Sequence, residues 1–575
     1  MSSGNRKFNQ LKGMSRNRAI TPSLIALVVS GLCSAGVQAR TFDTANPDLE
    51  IHWDNTIRYN LGIRGESRES GFDRSPFFDD TEHKFDRGDV VTNRLDVLSE
   101  FDVVWRGQHG VRMSLAGWYD DAYQGRAEPN PDLGRSGNFI NNRFNSYTDR
   151  YIAGPSGEIL DAFVFTGFDI WGMGVSLKAG QHNVYWGESL YSIGNSIAYS
   201  QGPVDTIKSA TSPGAEAKEL FLPMKQVSVG VQLTNELSLA GQYLLDWKPF
   251  RLVPGGTYFG PSDGSRSDLG NTAAAGLAIP NRADYGPSDD KGDFGLSLRW
   301  SPSWLQGTVG FYYRKFDEKL PWSFTELGLS GLPRPFPPVL PTAIRLAYAR
   351  DTKLYGLSLS QTVGTISVAG EVSYRKDTAL NSVAGYQVLP ATFGSATYAE
   401  VEGARGDSWH ALVNGIYLLP RNALWEGGTL QAELSWNRLD KITENPRRFN
   451  GGSYGCVTAY RENCATKTSL GFQVGFTPEW PQLFAGWDVS MPVTFAYGIN
   501  GNSPTPGGTN EDAYSYSLGV TGKLKNAHIF TVRWVDTRAD YGIDPVTGYV
   551  TSAYTNGSAV QNNHGWLSLS YRTSF

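Results

Sequence analysis

The stretch from Leu49 to Arg64, LEIHWDNTIRYNLGIR, constrains this chain more than any other, because it keeps one rhythm for 16 residues. Leu49, Ile51, Trp53, Ile57, Tyr59, Leu61 and Ile63 share one face of an extended strand, with Asn55 the only polar break. Glu50, His52, Asp54, Thr56, Arg58, Asn60 and Arg64 share the other. A period of two specifies a strand and not a helix, and strands of soluble proteins usually stop after about five or six residues. A run this long, greasy on one side and charged on the other, predicts a tilted strand crossing a bilayer, with lipid outside and a water-filled lumen inside.

The same pattern recurs to the end of the chain. Strands are expected at 49–64, 90–106, 110–121, 158–168, 173–182, 223–234, 236–248, 293–301, 305–316, 346–360, 365–376, 406–418, 428–439, 467–478, 487–499, 512–524, 526–539 and 564–575. Their connections alternate between short turns, such as 107–109, Asn235 and 362–364, and long segments rich in Gly, Pro, Asn, Asp and Ser. Long structureless connections argue against a compact soluble domain, whereas an outer-membrane barrel has short turns on its periplasmic side and long loops outside. The expected fold is therefore all-β: a transmembrane antiparallel β-barrel of about 18 strands (16 to 18). A two-sheet sandwich also alternates but has no need of so many long strands.

Composition agrees. Charged residues are 19%, aromatics 13%, and there are 65 Gly, yet mean hydropathy is −0.33, as expected when half of every strand faces water. No run of about 18 apolar residues follows the leader, which excludes helical spans. Residues 1–39 read as a signal peptide: a basic start at Arg6, Lys7, Lys12, Arg16 and Arg18, an apolar stretch from Ile20 to Gly36, and the small-residue site Val37-Gln38-Ala39. Its removal leaves one domain, 40–575, and moves the formal charge from −5 to −10, which gives no reason to expect nucleic acid. Trp53, Trp105, Trp247, Trp436 and Trp534 are expected on outward faces, several near strand ends as an aromatic girdle. Cys456 and Cys464, the only cysteines after the leader, are expected to form a disulfide in an oxidising compartment.

Chemistry should lie in the lumen. By parity Glu50, His52, Asp54, Arg58, Arg112, Arg314, Glu433 and Arg533 point inward, and this mixture of signs predicts weak ion selectivity. The connection 183–222 does not read as a plain loop. Its Pro213-Gly214 precedes a short helix containing Lys218 and Glu219, and the segment is expected to fold into the lumen as a constriction or plug. His182, Trp186 and Glu188 cluster at its start, with a structural use favoured over solute contact. The acidic stretch 79–89, DDTEHKFDRGD, offers carboxylates to a hard cation such as Ca²⁺ or to lipopolysaccharide bridged by divalent ions. It lacks the D-x-D-x-D-G spacing, so a solvated loop is expected. No cofactor, metal or catalytic motif stands out. Gly260 to Gly264 fits G-x-S-x-G only formally, without the strand and helix of a nucleophile elbow, and a hydrolase built on His564 and Ser568 lacks an evident third member.

The runs KAGQHNVYWGES, DTIKSATSPGAEAKELFLP and KLYGLSLSQTVGTISVAGEVSYRKD resemble the proteobacterial outer-membrane family catalogued as domain of unknown function 1302. The final strand, GWLSLSYRTSF, ends on an aromatic residue and resembles the signal read by the barrel-assembly machinery. The family resemblance implies an outer-membrane barrel in contact with lipid and lipopolysaccharide. It also implies a periplasmic partner and an inner-membrane transporter of the resistance-nodulation-division type, in sets associated with lipids, esters or steroid-like compounds. The reading is a passive channel, or the outer-membrane end of a trans-envelope system for hydrophobic or lipid-like compounds. The alternative is a non-conducting barrel that docks periplasmic partners.

Overall fold

The computed structural model describes residues 40–42, 44–134, 136–215, 217–272, 277–287, 291–329, 339–391, 396–456, 464–543, 545–546, 548–552 and 561–575. The proposed leader, 1–39, lies outside the described residues.

The main sheet closes into an antiparallel barrel of 18 strands. In chain order they are β1 (Leu49–Arg64), β2 (Val90–Trp105), β3 (His109–Asp120), β4 (Ser156–Ile170), β5 (Met173–His182), β6 (Met224–Gln232), β7 (Leu237–Leu244), β8 (Phe294–Trp300) and β9 (Gly307–Phe316). Then follow β10 (Thr352–Val363), β11 (Ile366–Ala379), β12 (Arg405–Leu418), β13 (Gly427–Glu444), β14 (Thr468–Phe484), β15 (Trp487–Ser490 continued by Val493–Asn500), β16 (Tyr514–Leu524), β17 (His528–Arg538) and β18 (Trp566–Ser574). Each strand pairs with its neighbours in sequence, and β1 pairs with β2 on one side and β18 on the other, so no edge is left open. At this seam Asn55 and the terminal Phe575 exchange backbone hydrogen bonds of 2.6 and 2.8 Å.

The distribution of side chains is inverted relative to a soluble protein. On β3 the outward Val111, Met113 and Leu115 are 44%, 44% and 42% exposed, while Arg64, Arg94, Arg314 and Arg375 are among the largest fully buried side chains. That is the arrangement a lipid solvent outside and a polar filling inside require. Among the described residues no helix is long and apolar enough to cross a membrane. The short turns are tight; between β4 and β5 both Trp171 and Gly172 have positive φ, 53° and 81°, as a two-residue hairpin demands.

Two sequence expectations are corrected at the long-loop end. The strand expected at 346–360 begins only at Thr352, because Val339–Ala347 pairs with Trp322–Leu329 in a separate sheet that Tyr386–Val388 joins in parallel. Trp247 is not on an outward strand face: β7 ends at Leu244, and the indole meets the Tyr348 ring edge-on at 4.8 Å. The long loops are thus folded structures. Phe85, Tyr123, Phe139, Tyr258 and Phe259 from three of them form one buried cluster with Trp566 of β18.

Candidate functional site in the barrel lumen

The connection between β5 and β6 crosses from one wall of the barrel to nearly the opposite one. Its first half is held by two carboxylates that alternation places inward, Glu371 on β11 and Glu433 on β13. Glu371 accepts the backbone N–H groups of Glu188, Ser189 (3.1 Å) and Ile197 (2.7 Å). Glu433 accepts those of Leu190 (2.7 Å), Tyr191 (3.2 Å) and Ser192 (2.6 Å). The segment's carbonyls are met by cations: Arg314 of β9 donates to the Ile197 and Tyr199 oxygens at 2.8 and 2.7 Å, and Arg375 of β11 to Ser196 at 3.0 Å. Gly187, with φ 101°, lies so close to the Glu371 carboxylate that a Cβ there would overlap it. Irregular backbone carries polar groups that must be paired once buried, and here the barrel wall supplies the partners.

The second half is fastened near β1. A helix, α1 (Thr206–Thr211), begins at Asp205, whose side chain accepts the Lys208 N–H at 3.0 Å and also takes the Arg251 guanidinium at 2.7 Å. Its last turn is caught by Asn60, which donates to the Thr211 carbonyl at 2.6 Å. The expected second helix is present as α2 (Ala217–Leu220), and its Glu219 receives both Nη atoms of Arg58, at 2.9 and 2.5 Å, with the pair buried. Strands β1 and β11 lie ten places apart among 18, so these contacts tie the insert across the lumen.

The residues singled out by parity therefore fall into different roles. Arg58, Glu219, Arg314 and Glu433 hold the insert. Arg112 is taken up within the wall by Asp102 (3.0 Å), Glu100 (2.5 Å) and Asp161 (3.6 Å). Glu50 and His52 lie 3.5 Å apart toward the short-turn end, on the same strand as Asp54. His182 is buried between the Gly180 carbonyl (3.0 Å) and the Ser228 hydroxyl (2.7 Å). Trp186 is anchored through its N–H to Gln201 at 2.9 Å, and Glu188 lies 3.6 Å from Arg299. The Lys218 side chain lies outside the described residues. Sequence reasoning missed Glu371 and Arg375, although both occupy inward positions of an alternating strand.

Arg533 on β17 stands apart. Among the described residues it makes no hydrogen bond or ion pair, and its guanidinium borders a cavity of about 730 Å³ between the insert and the wall. Ser209 and Ala210 of α1 line one side, Leu252, Val253 and Phe259 another, and Ser517, Val535, His564 and Trp566 the barrel face.

The acidic stretch at 79–89 is the solvated loop its composition suggests only in its second half, where Asp86 and Asp89 are exposed. Asp79, Asp80 and Glu82 are buried in a short helix, Asp79–His83. Glu82 is met by Arg64 at 2.6 Å and by His564 at 2.5 Å. Burial pushes the Glu82 carboxyl upward, but His564 and Arg64 outweigh it and hold it below the usual carboxylate range. Asp79, Asp80 and Asp263 bring oxygens within 4.8 Å of one another. Backbone N–H groups of Asn130 and Asn138 reach Asp79 and Asp80 at 2.9 and 2.6 Å, and those of Asp80 and Thr81 reach Asp263 at 3.0 and 2.9 Å. Burial, and then the neighbouring Asp80 and Asp79, push the Asp263 carboxyl well above its ordinary value. Long-range partners that only the fold brings together explain why these acids could leave water.

Cys456 and Cys464 form a disulfide with Cα atoms 5.7 Å apart. Ser568 donates to Asn60 at 2.7 Å, while His564 engages Glu82, so the two do not pair as nucleophile and base.

Among solved structures, the chain is similar to OccAB4 of Acinetobacter baumannii (10% identity, TM-score 0.41, covering 92% of this chain and 100% of that one). It is also similar to a BenF-like porin of Pseudomonas fluorescens Pf-5 (11%, 0.40, 91% and 98%) and to OccAB1 of A. baumannii (8%, 0.42, 91% and 96%). No curated protein sequence matches it. A family model does, over residues 20–575, and it covers the barrel, the insert and the closing strand alike. The chain belongs to the family described as protein of unknown function DUF1302.

Proposed function

We propose that this protein is an outer-membrane conduit whose lumen is narrowed by the 183–222 insert. In this reading it serves as the outer-membrane end of a trans-envelope system that moves hydrophobic or lipid-like compounds. The observation that carries the reading is the double tether, Glu371 and Glu433 on one side and Arg58 with Asn60 on the other. A scaffold has no use for a polar segment strapped across its interior, whereas a channel uses one to set its bore. The mixed cavity beside the insert supports an amphiphilic cargo, because Leu252, Val253, Phe259 and Trp566 give it an apolar side. The outward apolar band supports a lipid environment, and the long loops then face the cell exterior. A periplasmic partner and an inner-membrane transporter complete the proposed path at the short-turn end. None of these steps calls for catalysis.

Reconstitution into liposomes tests the proposal. The mature barrel should pass small solutes into vesicles at a rate that scales with protein. A docking barrel would leave the vesicles tight even with its periplasmic partner present.

A further inference from the structure

We propose that the cavity beside Arg533 is a binding site for an amphiphilic anion, a single carboxylate or phosphate head carried on an apolar body. The inference rests on the lumen being the route and adds the class of molecule that stops there. Arg533 is the first observation. Its Nε is buried without a partner, and among the described residues no carboxylate pairs with its guanidinium. Most other lumenal cations named above are spent on acids or on insert carbonyls, so this one is available. A guanidinium taken from bulk water needs an opposite charge or a set of acceptors in place of that water, and an anionic ligand is that replacement.

The second observation is His564, 3% exposed, whose Nε2 is taken by Glu82 while its Nδ1, also buried, has no partner. Both groups border the same cavity. The remaining acid on this wall, Asp536, does not compete for Arg533, because Arg538 lies 3.2 Å from it and the Tyr516 hydroxyl donates to it at 3.2 Å. Arg538 is in turn paired with Glu66, and Glu82 with Arg64. These acids are thus engaged by other groups, and none of them lies within ion-pair distance of Arg533. The third observation is shape. About 730 Å³ is far more than a simple anion fills, and lies within the range of pockets for whole small molecules. Phe259 and Trp566, ring centroids 5.2 Å apart, supply an aromatic wall for the body of such a ligand.

The test uses the full mature barrel in nanodiscs of zwitterionic lipid, with calorimetric titration of 4-phenylbutyrate, of its uncharged counterpart 4-phenylbutanol and of acetate. Phenylbutyrate should bind, with phenylbutanol and acetate each at least tenfold weaker. Arg533→Gln should weaken phenylbutyrate at least tenfold and Arg533→Lys less. Ser209→Phe, which fills the cavity from α1 and leaves Arg533 in place, should abolish binding; heat-modifiable migration certifies each variant as a folded barrel. Mass spectrometry of the extracted protein distinguishes a lipid source of the anion from a free one, since a lipid source co-purifies with wild type and is lost from Arg533→Gln. Equal binding by wild type and Arg533→Gln, or acetate binding as well as phenylbutyrate, overturns the proposal. Ion conductance of the wild-type barrel is read separately: a conducting barrel that binds no phenylbutyrate removes this site and leaves the conduit standing, whereas a binding barrel that does not conduct leaves the site and removes the conduit.

Discussion

Replacing Glu371 and Glu433 together by Gln should loosen the insert while leaving the barrel closed. Each carboxylate accepts three backbone N–H groups of residues 188–197. Hydrogen bonds to a charged group contribute about 1.5–3 kcal/mol each, against roughly 1 kcal/mol for neutral ones. An amide keeps one acceptor oxygen, loses the charge, and turns an NH₂ toward donors. A loss of about 2–3 kcal/mol per site follows, or roughly a 30- to 150-fold rise in the released fraction of the insert at about 1.4 kcal/mol per tenfold. The two sites hold the same segment, so their effects should couple and not simply add. In planar bilayers the double variant should show frequent excursions to a larger conductance that wild type visits rarely, while its heat-modifiable migration stays normal. Traces that cannot be told from wild type would refute the claim that these carboxylates hold the insert in place.

Other outcomes follow from the same geometry. A tag fused behind Phe575 should impair assembly, because the terminal residue pairs with Asn55 at the closing seam, and a fusion with full heat-modifiable yield would contradict this. The folded protein should resist thiol alkylation at Cys456 and Cys464 until reduced, then take two labels by mass spectrometry. The loop layer should respond to pH with two opposite signs. Glu82, whose folded carboxyl is held low, stabilises above the ordinary carboxylate range, and that stability is lost as pH falls through its folded value. Asp263, whose folded carboxyl is held high, contributes stability that is full below its unfolded value and is lost as pH rises toward its folded one. Protease sensitivity of the loops against pH should therefore lose its acid-side rise in Glu82→Gln and its rise on the higher-pH side in Asp263→Asn; unchanged profiles would break the link to these two groups.

The barrel was legible because its signal is local. Alternation in 49–64 assigns each side chain to lipid or lumen without knowledge of any other strand, and the strand runs Leu49–Arg64 as read. Parity puts Arg58, Arg314 and Glu433 on the polar face of their strands, yet it is silent on what they touch. Their partners, Glu219 and residues 190–199, lie 115 to 243 residues away in the chain, and no periodicity encodes such a pairing. The acidic stretch at 79–89 shows the same limit from the other side. Five carboxylates in eleven residues read as solvated, and only the arrival of Arg64 and His564 makes Glu82 a buried group. Trp247 was misplaced because a strand's end is set by where its neighbour stops pairing, which its own sequence does not state.

A tethered insert that sets the bore of a closed membrane barrel must widen that bore when it is removed. Single-channel conductance of the mature protein with residues 190–220 deleted tests it most directly. The deleted protein should be a folded, heat-modifiable barrel with a conductance well above that of wild type; an unchanged conductance in that barrel would mean that the insert does not set the bore.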